Sequence, residues 1–361
     1  MNYGLPIEEY DRNLTFGYYG GKFLPFHMGH LSCIIKAASL VDVLFVVVGY
    51  DEAYEQDLCL NSNFKWVSPR LRERWVTKAT KDMPNVRVLS HYERRSDGYM
   101  TDPLVKQANE ELLQKLGGKL DYVFSSEADY EDYFNMYFPD SEHILFDRLS
   151  TQYPISATEI RDKGVYSYWE MLPPAVRESY VKRICLCGVE STGKSTMAKL
   201  LAAHFQTNLV EEYGRAFYDN INGCFDIDMP EDFHQIAFGH SYAILQAVPT
   251  ANKVLFIDTE ETYTQFFRLK SIGEKSAVLS EMIKSRVNQI DTYIYLEPHN
   301  EYEMDGTRLP VSQKQRLQDN EQLKSLFNEY GISLHIVDEN SRSRRLEKCI
   351  TIVYDSLRHV I

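Results

Sequence analysis

Residues 183–205 read RICLCGVESTGKSTMAKLLAAHF. A short apolar run, Ile184 to Cys187, leads into Gly188-Val-Glu190-Ser191-Thr192-Gly193-Lys194-Ser195-Thr196, and helix-forming residues from Met197 to Phe205 follow. Strand, glycine-rich turn and helix, with the spacing G-x-x-x-x-G-K-S, is the arrangement of a P-loop, in which backbone N–H groups curl round a polyphosphate. Lys194 then reaches the β- and γ-phosphates, and Ser195 offers its hydroxyl to Mg²⁺. An ordinary glycine turn needs neither the strand before it nor the helix after it. The stretch therefore predicts a nucleoside-triphosphate site at the head of a parallel α/β domain. Such domains normally begin with this strand, yet here roughly half of the chain precedes it.

At 361 residues the length allows two or three domains, each able to bury a core. With 44% hydrophobic and 25% charged residues the composition is that of a soluble globular protein. No run approaches a membrane span, and the N-terminal MNYGLPIEEYDRN lacks the apolar core of a signal peptide. The six cysteines show no paired zinc spacing, and Cys185 and Cys187 alternate on a strand that packing would bury. A reduced, cytoplasmic setting is expected. A net charge of −13 without a basic face argues against general nucleic-acid binding, but not against nucleotides, whose phosphates are met locally.

Upstream, an aromatic-rich strand (14–19) runs into Gly20-Gly21-Lys22-Phe23-Leu24-Pro25-Phe26-His27-Met28-Gly29-His30. A helix over about 28–40 follows, with Leu31, Ile34, Ile35 and Ala38 spaced for one face, and then the continuously apolar 43–49, as a covered parallel strand requires. This βαβ unit carries two histidines at its strand-to-helix switch, where ligands of open α/β sheets sit. His27 and His30, with Gly29 permitting close backbone approach, suit phosphate contact; a metal site lacks an evident third ligand. Arg70, Arg72 and Arg74 lie on a helix opened by Ser68-Pro69, and read equally as a solvated face or as phosphate-facing arginines. A strand over 122–125 exits through Ser125-Ser126-Glu127, a plausible ligand wall. In Ile155-Ser156-Ala157-Thr158-Glu159-Ile160-Arg161, Ser156 and Glu159 form a capping box, while Ser156, Thr158 and Arg161 can converge on one anion. Pro173-Pro174 and the aromatics of 166–180 mark a linker that packs against a domain.

Beyond the P-loop helix, a short strand delivers Glu211-Glu212-Tyr213-Gly214-Arg215. An acid there suits a general base for a phosphoryl acceptor, and a solvated acidic turn is the alternative. His234 and His240, six apart on a helix over 230–248, read as surface or packing. The strand 254–258 ends in Asp258, placed to meet Mg²⁺. The polar loop 297–308, tipped by Arg308 and followed by a helix carrying Lys314 and Arg316, reads as a lid that neutralises phosphate and excludes water, or as a charged surface loop.

Taken together, GGKFLPFHMGH, SSE, ISATEIR, GVESTGKST, EEYGR, FIDTEETYTQ, DGTR and SQKQR resemble, in order, the NadR-type bifunctional family, over about residue 14 to the C-terminus. The first block resembles the HxGH signature of nucleotidyltransferases, and 155–161 their second phosphate-binding motif. The resemblance implies an α/β chain: a Rossmann-like nucleotidyltransferase domain of HxGH type (1–165), a linker (166–181) and a P-loop kinase domain (182–361), both with parallel sheets covered by helices. It implies a kinase that phosphorylates nicotinamide riboside with ATP, and an adenylyltransferase that moves AMP from ATP onto nicotinamide mononucleotide, giving NAD and pyrophosphate. The alternative is an adenylyltransferase whose P-loop half is an ATP sensor or regulatory module.

Carried over residue by residue, ATP in the first domain meets Gly21, Lys22, Phe23, His27, Gly29, His30, Ser125, Ser126, Ile155, Ser156, Thr158 and Arg161, with His27, His30 and Arg161 catalytic. In the second, ATP meets Gly188, Glu190 to Thr196 and Arg308, with Lys194 catalytic and Mg²⁺ on Ser195 and Asp258. Glu212, Tyr213, Arg215, Asp258 and Glu260 meet the substrate, and Glu212 or Asp258 is the base. Functional coupling to a nicotinamide riboside transporter and a homo-oligomer are partner expectations; nucleic acid is not. Some family members carry an additional helix-turn-helix domain, whereas here only about a dozen residues precede the first strand, so direct DNA binding is not expected. The run after Asp258 is Thr259-Glu260 where the family pattern suggests Thr-Asp.

Overall fold

The computed structural model describes residues 13–93, 102–126, 130–146, 153–220, 228–299 and 312–358. The chain divides into two units, the first running to Ser179 and the second beginning at Tyr180.

In the first unit β1 (Phe16–Gly21), α1 (Met28–Ala38), β2 (Val43–Tyr50), α2 (Glu52–Leu60), α3 (Pro69–Ala79), β3 (Val86–Tyr92), α4 (Pro103–Lys115), β4 (Tyr122–Ser125), α5 (Glu131–Tyr137) and β5 (Glu142–Leu145) alternate, as a parallel sheet with helical crossovers demands. The sheet order is β3-β2-β1-β4-β5 and every pairing is parallel, β1 running from Phe16 opposite Val43 to Gly21 opposite Val48. Seven of the eight residues of β2 are buried, because helices cover both faces of the sheet. One core gathers Tyr18, Phe45, Val47, Leu112, Val123, Phe134 and Phe138. The buried face of α1 is Cys33, Ile34 and Ala37, and Ile35, expected on that face, is 49% exposed. The strand order reverses between β1 and β4, so the crevice for a ligand opens at the carboxyl ends of these two strands.

After α6 (Ala157–Lys163) comes a 3₁₀ segment over Val165–Met171 and the short α7 (Pro174–Arg177), whose first residue is the second proline of the pair. This stretch belongs to the first unit: Trp169, Leu172 and Val176 are buried, and Trp75 Nε1 donates to Ser179 Oγ at 2.8 Å.

The second unit runs β6 (Lys182–Cys187), α8 (Lys194–Phe205), β7 (Leu209–Val210), α9 (Tyr213–Asn220), α10 (Pro230–Ala247), β8 (Val254–Asp258), α11 (Glu261–Ile272), α12 (Ala277–Ser285), β9 (Thr292–Leu296), α13 (Gln313–Glu329), β10 (Leu334–Val337) and α14 (Arg342–Arg358). Its sheet order is β10-β9-β6-β8-β7, again all parallel. The period of two along β6 builds two cores. Ile184 and Leu186 pack with Phe256, Leu296 and Val353 on one face, and Cys185 and Cys187 pack with Phe266, Tyr295 and Phe327 on the other. The two cysteines are thus the small apolar fillers expected of them. No helix among the described residues is long and apolar enough to cross a membrane.

Candidate active sites

In each unit the turn after the central strand carries the signature residues, and in each the carbonyls of that turn are held by buried arginines. In the first unit β1 ends in Gly21 and the chain turns through residues 22–27 into α1. His27 is the N-cap of α1, and its backbone N–H donates to His30 Nδ1 at 3.3 Å. The two rings stack with centroids 3.7 Å apart. A β-carbon on Gly29 would lie 3.0 Å from the His27 ring, so a larger residue would press on that ring where it folds back over the helix turn. The same point is 3.8 Å from the carbonyl oxygen of Ile155, which brings the second motif against the first.

His27 is buried and its Nδ1 has no hydrogen-bond partner. Burial lowers its pKa to about 3, and burial together with the neighbouring His27 lowers that of His30. Both imidazoles are therefore neutral at neutral pH, each with one N–H to donate. Phe23 and Phe26 wall in the His30 ring, edge-on at 5.1 Å and stacked at 5.9 Å. Phe23, expected at the nucleotide, is 1% exposed and acts through this packing.

Arg161 is the clearest departure in this unit. Expected to grip phosphate, it is buried and donates from Nη1 to the Leu24 carbonyl at 2.8 Å and from Nη2 to Thr158 Oγ1 at 3.0 Å. Arg72 does the same one step earlier, donating from Nη1 to the Lys22 carbonyl at 2.5 Å. It also makes two bonds to Glu55, at 2.9 and 2.6 Å, with both side chains fully buried. Arg72 is thus neither a solvated residue nor a phosphate ligand, while Arg70 and Arg74 are exposed. Ser156 caps α6, accepting from the Glu159 N–H at 3.2 Å, and Ser125 shares a 2.8 Å hydrogen bond with His143 Nε2. Ser126 stands at the carboxyl end of β4, half-buried; Glu127 lies outside the described residues.

In the second unit Gly188 has φ 138°, Ser191 φ 58° and Gly193 φ 85°. A β-carbon on Gly188 would sit 2.6 Å from the Leu296 carbonyl oxygen, so the turn needs glycine there for space as well as for φ. Arg316 of α13 donates to the carbonyls of Glu190 at 3.1 Å and Ser191 at 2.9 Å, and Arg345 of α14 to that of Thr192 at 3.0 Å. Both arginines are buried. Carbonyls drawn toward the arginines leave the peptide N–H groups on the opposite side, which is what an anion cradle requires. Lys194 Nζ donates to the Val189 carbonyl at 3.0 Å and lies 4.8 Å over the Tyr263 ring.

Lys194, Ser195 and Thr196 open onto a cavity of about 530 Å³, which Glu212, Tyr213 and Arg215 also line. Glu212 is one of the two residues named as base. Burial, then the charge of Asp258, raise its carboxyl to about 7 against the opposing pull of Lys194 and Arg215. Its Oε2 is 3.8 Å from Arg215 Nη2. A carboxylate near 7 in reach of an acceptor is matched to proton removal at neutral pH. Asp258, at the end of β8 beside β6, is 2% exposed and is not among the cavity's lining residues; its Oδ1 is buried without a partner. Glu260, expected at the substrate, makes a helix cap in the structure. It caps α11, accepting from the Thr262 N–H at 3.0 Å, is 2% exposed and does not line the cavity. Burial and the adjacent Glu261 raise its pKa to about 8, so it is held protonated at neutral pH. Arg308 and the rest of loop 300–311 lie outside the described residues.

Sequence reasoning missed the loop-holding arginines, whose carbonyl partners leave no local pattern. It also set aside His240, which lines the cavity.

Residues 18–163 match the family model described as cytidylyltransferase-like, and residues 183–345 the one described as an AAA domain. Over 98% of its length the chain is 31% identical to the trifunctional NAD biosynthesis/regulator protein NadR of Escherichia coli K12, covering 86% of that protein. It is 30% identical, over the same shares, to the protein of that name from Salmonella typhimurium LT2. A crystal structure of NadR protein in complex with NR has the same fold, with a TM-score of 0.73 at 21% identity over 96% of each chain. A NadR structure in complex with NAD and AMP-PNP gives a TM-score of 0.72 over 97% of this chain and 98% of that one.

Proposed function

The chain belongs to the NadR family, and from that premise we propose which of its residues carry the two reactions. It is a bifunctional enzyme of NAD salvage. One unit phosphorylates nicotinamide riboside with ATP to nicotinamide mononucleotide, and the other transfers AMP from ATP to that mononucleotide, giving NAD and pyrophosphate. The observation that carries our assignment of the kinase site is the single cavity that joins Lys194 and Ser195 of the P-loop to Glu212.

In the kinase unit the P-loop N–H groups and Lys194 hold the ATP phosphates, and Glu212 takes the proton of the acceptor's 5′-hydroxyl as that oxygen bonds the γ-phosphorus, whose bond to the β–γ bridging oxygen breaks to release ADP. Mg²⁺ suits this site: the orphaned Oδ1 of Asp258 and the hydroxyl of Ser195 are hard oxygen donors, and magnesium is commonly held by one or two protein oxygens plus substrate phosphates. When bound it would supply charge neutralisation to the phosphates, held by Asp258 and Ser195. Asp258 is then a metal ligand, which leaves the base to Glu212.

In the adenylyltransferase unit no covalent nucleophile is needed. The neutral His27 and His30 donate N–H bonds to phosphate oxygens, and the N-terminus of α1 adds its dipole as charge builds on the α-phosphate. Arg161 and Arg72 act through the loop by fixing residues 22–24. Five buried cysteines of the described residues are free thiols, and we place the enzyme in the cytoplasm, where thiols stay reduced.

The test is the purified protein with ATP, Mg²⁺ and either the riboside or the mononucleotide, the products separated by chromatography. NAD from the mononucleotide together with no phosphorylation of the riboside would leave only the adenylyltransferase with a regulatory P-loop domain.

A further inference from the structure

One wall of the kinase cavity is built by α10, whose Phe233, Ile236 and His240, spaced i, i+3 and i+7, all line it. Two of these are apolar, and His240 is the polar member of the stripe. It is 3% exposed, and its Nε2 is buried with no hydrogen-bond partner. Burial lowers its pKa to about 4, so the ring is neutral and offers both a donor and an acceptor. The other histidine of this helix is a useful contrast: His234 Nε2 shares a 2.7 Å hydrogen bond with Ser276 Oγ and does not line the cavity. His234 is a satisfied packing residue; His240 is not.

The residue before it sharpens the placement. A β-carbon on Gly239 would lie 2.3 Å from the ring of Tyr213, so Tyr213 packs on the bare backbone of α10 immediately beside His240. Tyr213 follows Glu212 directly, and this contact ties the segment carrying the base to the turn carrying the histidine. A buried, unpaired ring nitrogen is unfavourable unless the cavity's occupant pairs it.

We propose that His240 is a specificity-determining residue of the kinase site, hydrogen-bonding a neutral polar group of the nucleoside acceptor, either a ribose hydroxyl or the ring carboxamide. It reads the acceptor and takes no part in the proton transfer assigned to Glu212. This assignment rests on the kinase reading above.

The experiment measures riboside phosphorylation by the full chain as wild type, His240→Leu and His240→Gln, with adenylyl transfer by the same preparations as the standard of intact protein. His240→Leu raises the KM for nicotinamide riboside about tenfold or more, as loss of a bond to a buried group predicts, with the KM for ATP and the kcat little changed. His240→Gln recovers part of that loss. Deoxyribosides and a riboside lacking the carboxamide identify the partner group, because the analogue that lacks it is insensitive to the substitution. Equal sensitivity of every analogue, or an unchanged KM in His240→Leu, overturns the assignment. If His240→Leu does not fold, a His240→Gln protein that loses kcat and KM for ATP as much as it loses the riboside overturns it too. Wild-type protein that makes no mononucleotide from the riboside overturns the kinase reading itself, a result distinguishable from all of these.

Discussion

Arg316 Nη2 donates to the carbonyl oxygen of Ser191 at 2.9 Å, and the same guanidinium reaches the Glu190 carbonyl through Nε. One side chain of α13 thus sets the orientation of two successive peptide planes in the P-loop. A lysine in its place has a single charged point and cannot serve both carbonyls. Arg316→Lys and Arg316→Ala are both expected to lower kinase kcat/KM by about tenfold or more, through the orientation of the cradle, and to leave adenylyl transfer intact. If the lysine variant keeps full kinase activity, the two-carbonyl role is wrong.

Separate sites make separable losses. Lys194→Ala removes the side chain that reaches the transferring phosphate and should cost riboside phosphorylation roughly 10²–10³-fold. His30→Ala should do the same to adenylyl transfer alone. Each variant is assayed for both products, and a single substitution that abolishes both contradicts the two-site arrangement.

Glu212 and Asp258 are told apart by pH. With its carboxyl at about 7, Glu212 is protonated and inactive as a base below that value, so kinase kcat/KM rises with pH through about 7 and then levels. Glu212→Gln should lower the rate by roughly 10²–10⁴-fold and abolish that limb. Asp258→Asn should instead raise the Mg²⁺ concentration needed for half-maximal rate, while the limb persists but moves to lower pH as the charge that raises Glu212 is lost. Reversed results would exchange the two roles.

The Arg72–Glu55 pair is buried on both sides and also carries the Lys22 carbonyl. Removing only the anion strands a guanidinium away from water. Glu55→Gln is expected to destabilise the first unit by about 3–5 kcal/mol. Urea unfolding of the variant, followed through that unit, measures it, and a loss below 1 kcal/mol would mean water reaches the pair.

Acid destabilises the first unit through His27. Its ring is held at about 3 when folded against about 6.5 when unfolded, so the unfolded chain binds the extra proton between these values. The stabilisation is therefore fully present above pH 6.5 and lost as pH falls from there toward 3. Thermal melts of wild type and His27→Asn should converge across this window; parallel curves would show that water hydrates the ring.

Much of this was legible because the signals are local. Gly188 to Ser195 and Gly21 to His30 specify a strand, a turn and a helix start within a dozen residues, and β2 and β6 announce covered parallel strands by their apolar runs. The arginines were illegible for the opposite reason. Arg345 and Thr192 are 153 positions apart, and a backbone carbonyl carries no residue code, so nothing in the sequence pairs them. Glu260 shows a further limit: an acid after a strand end reads as a ligand, and nothing in the sequence says that the Thr262 N–H of α11 donates to it. A six-residue spacing says nothing of which histidine meets a cavity, and of His234 and His240 only His240 lines it.

The two strand orders have a consequence for ancestry. In the first unit the second strand in sequence, β2, lies directly beside the first; in the second unit β7 is separated from β6 by the intervening β8. A gene duplicated in tandem would have carried one order into both halves. The two units are therefore not tandem copies of one topology, although each sets its signature turn after a central strand.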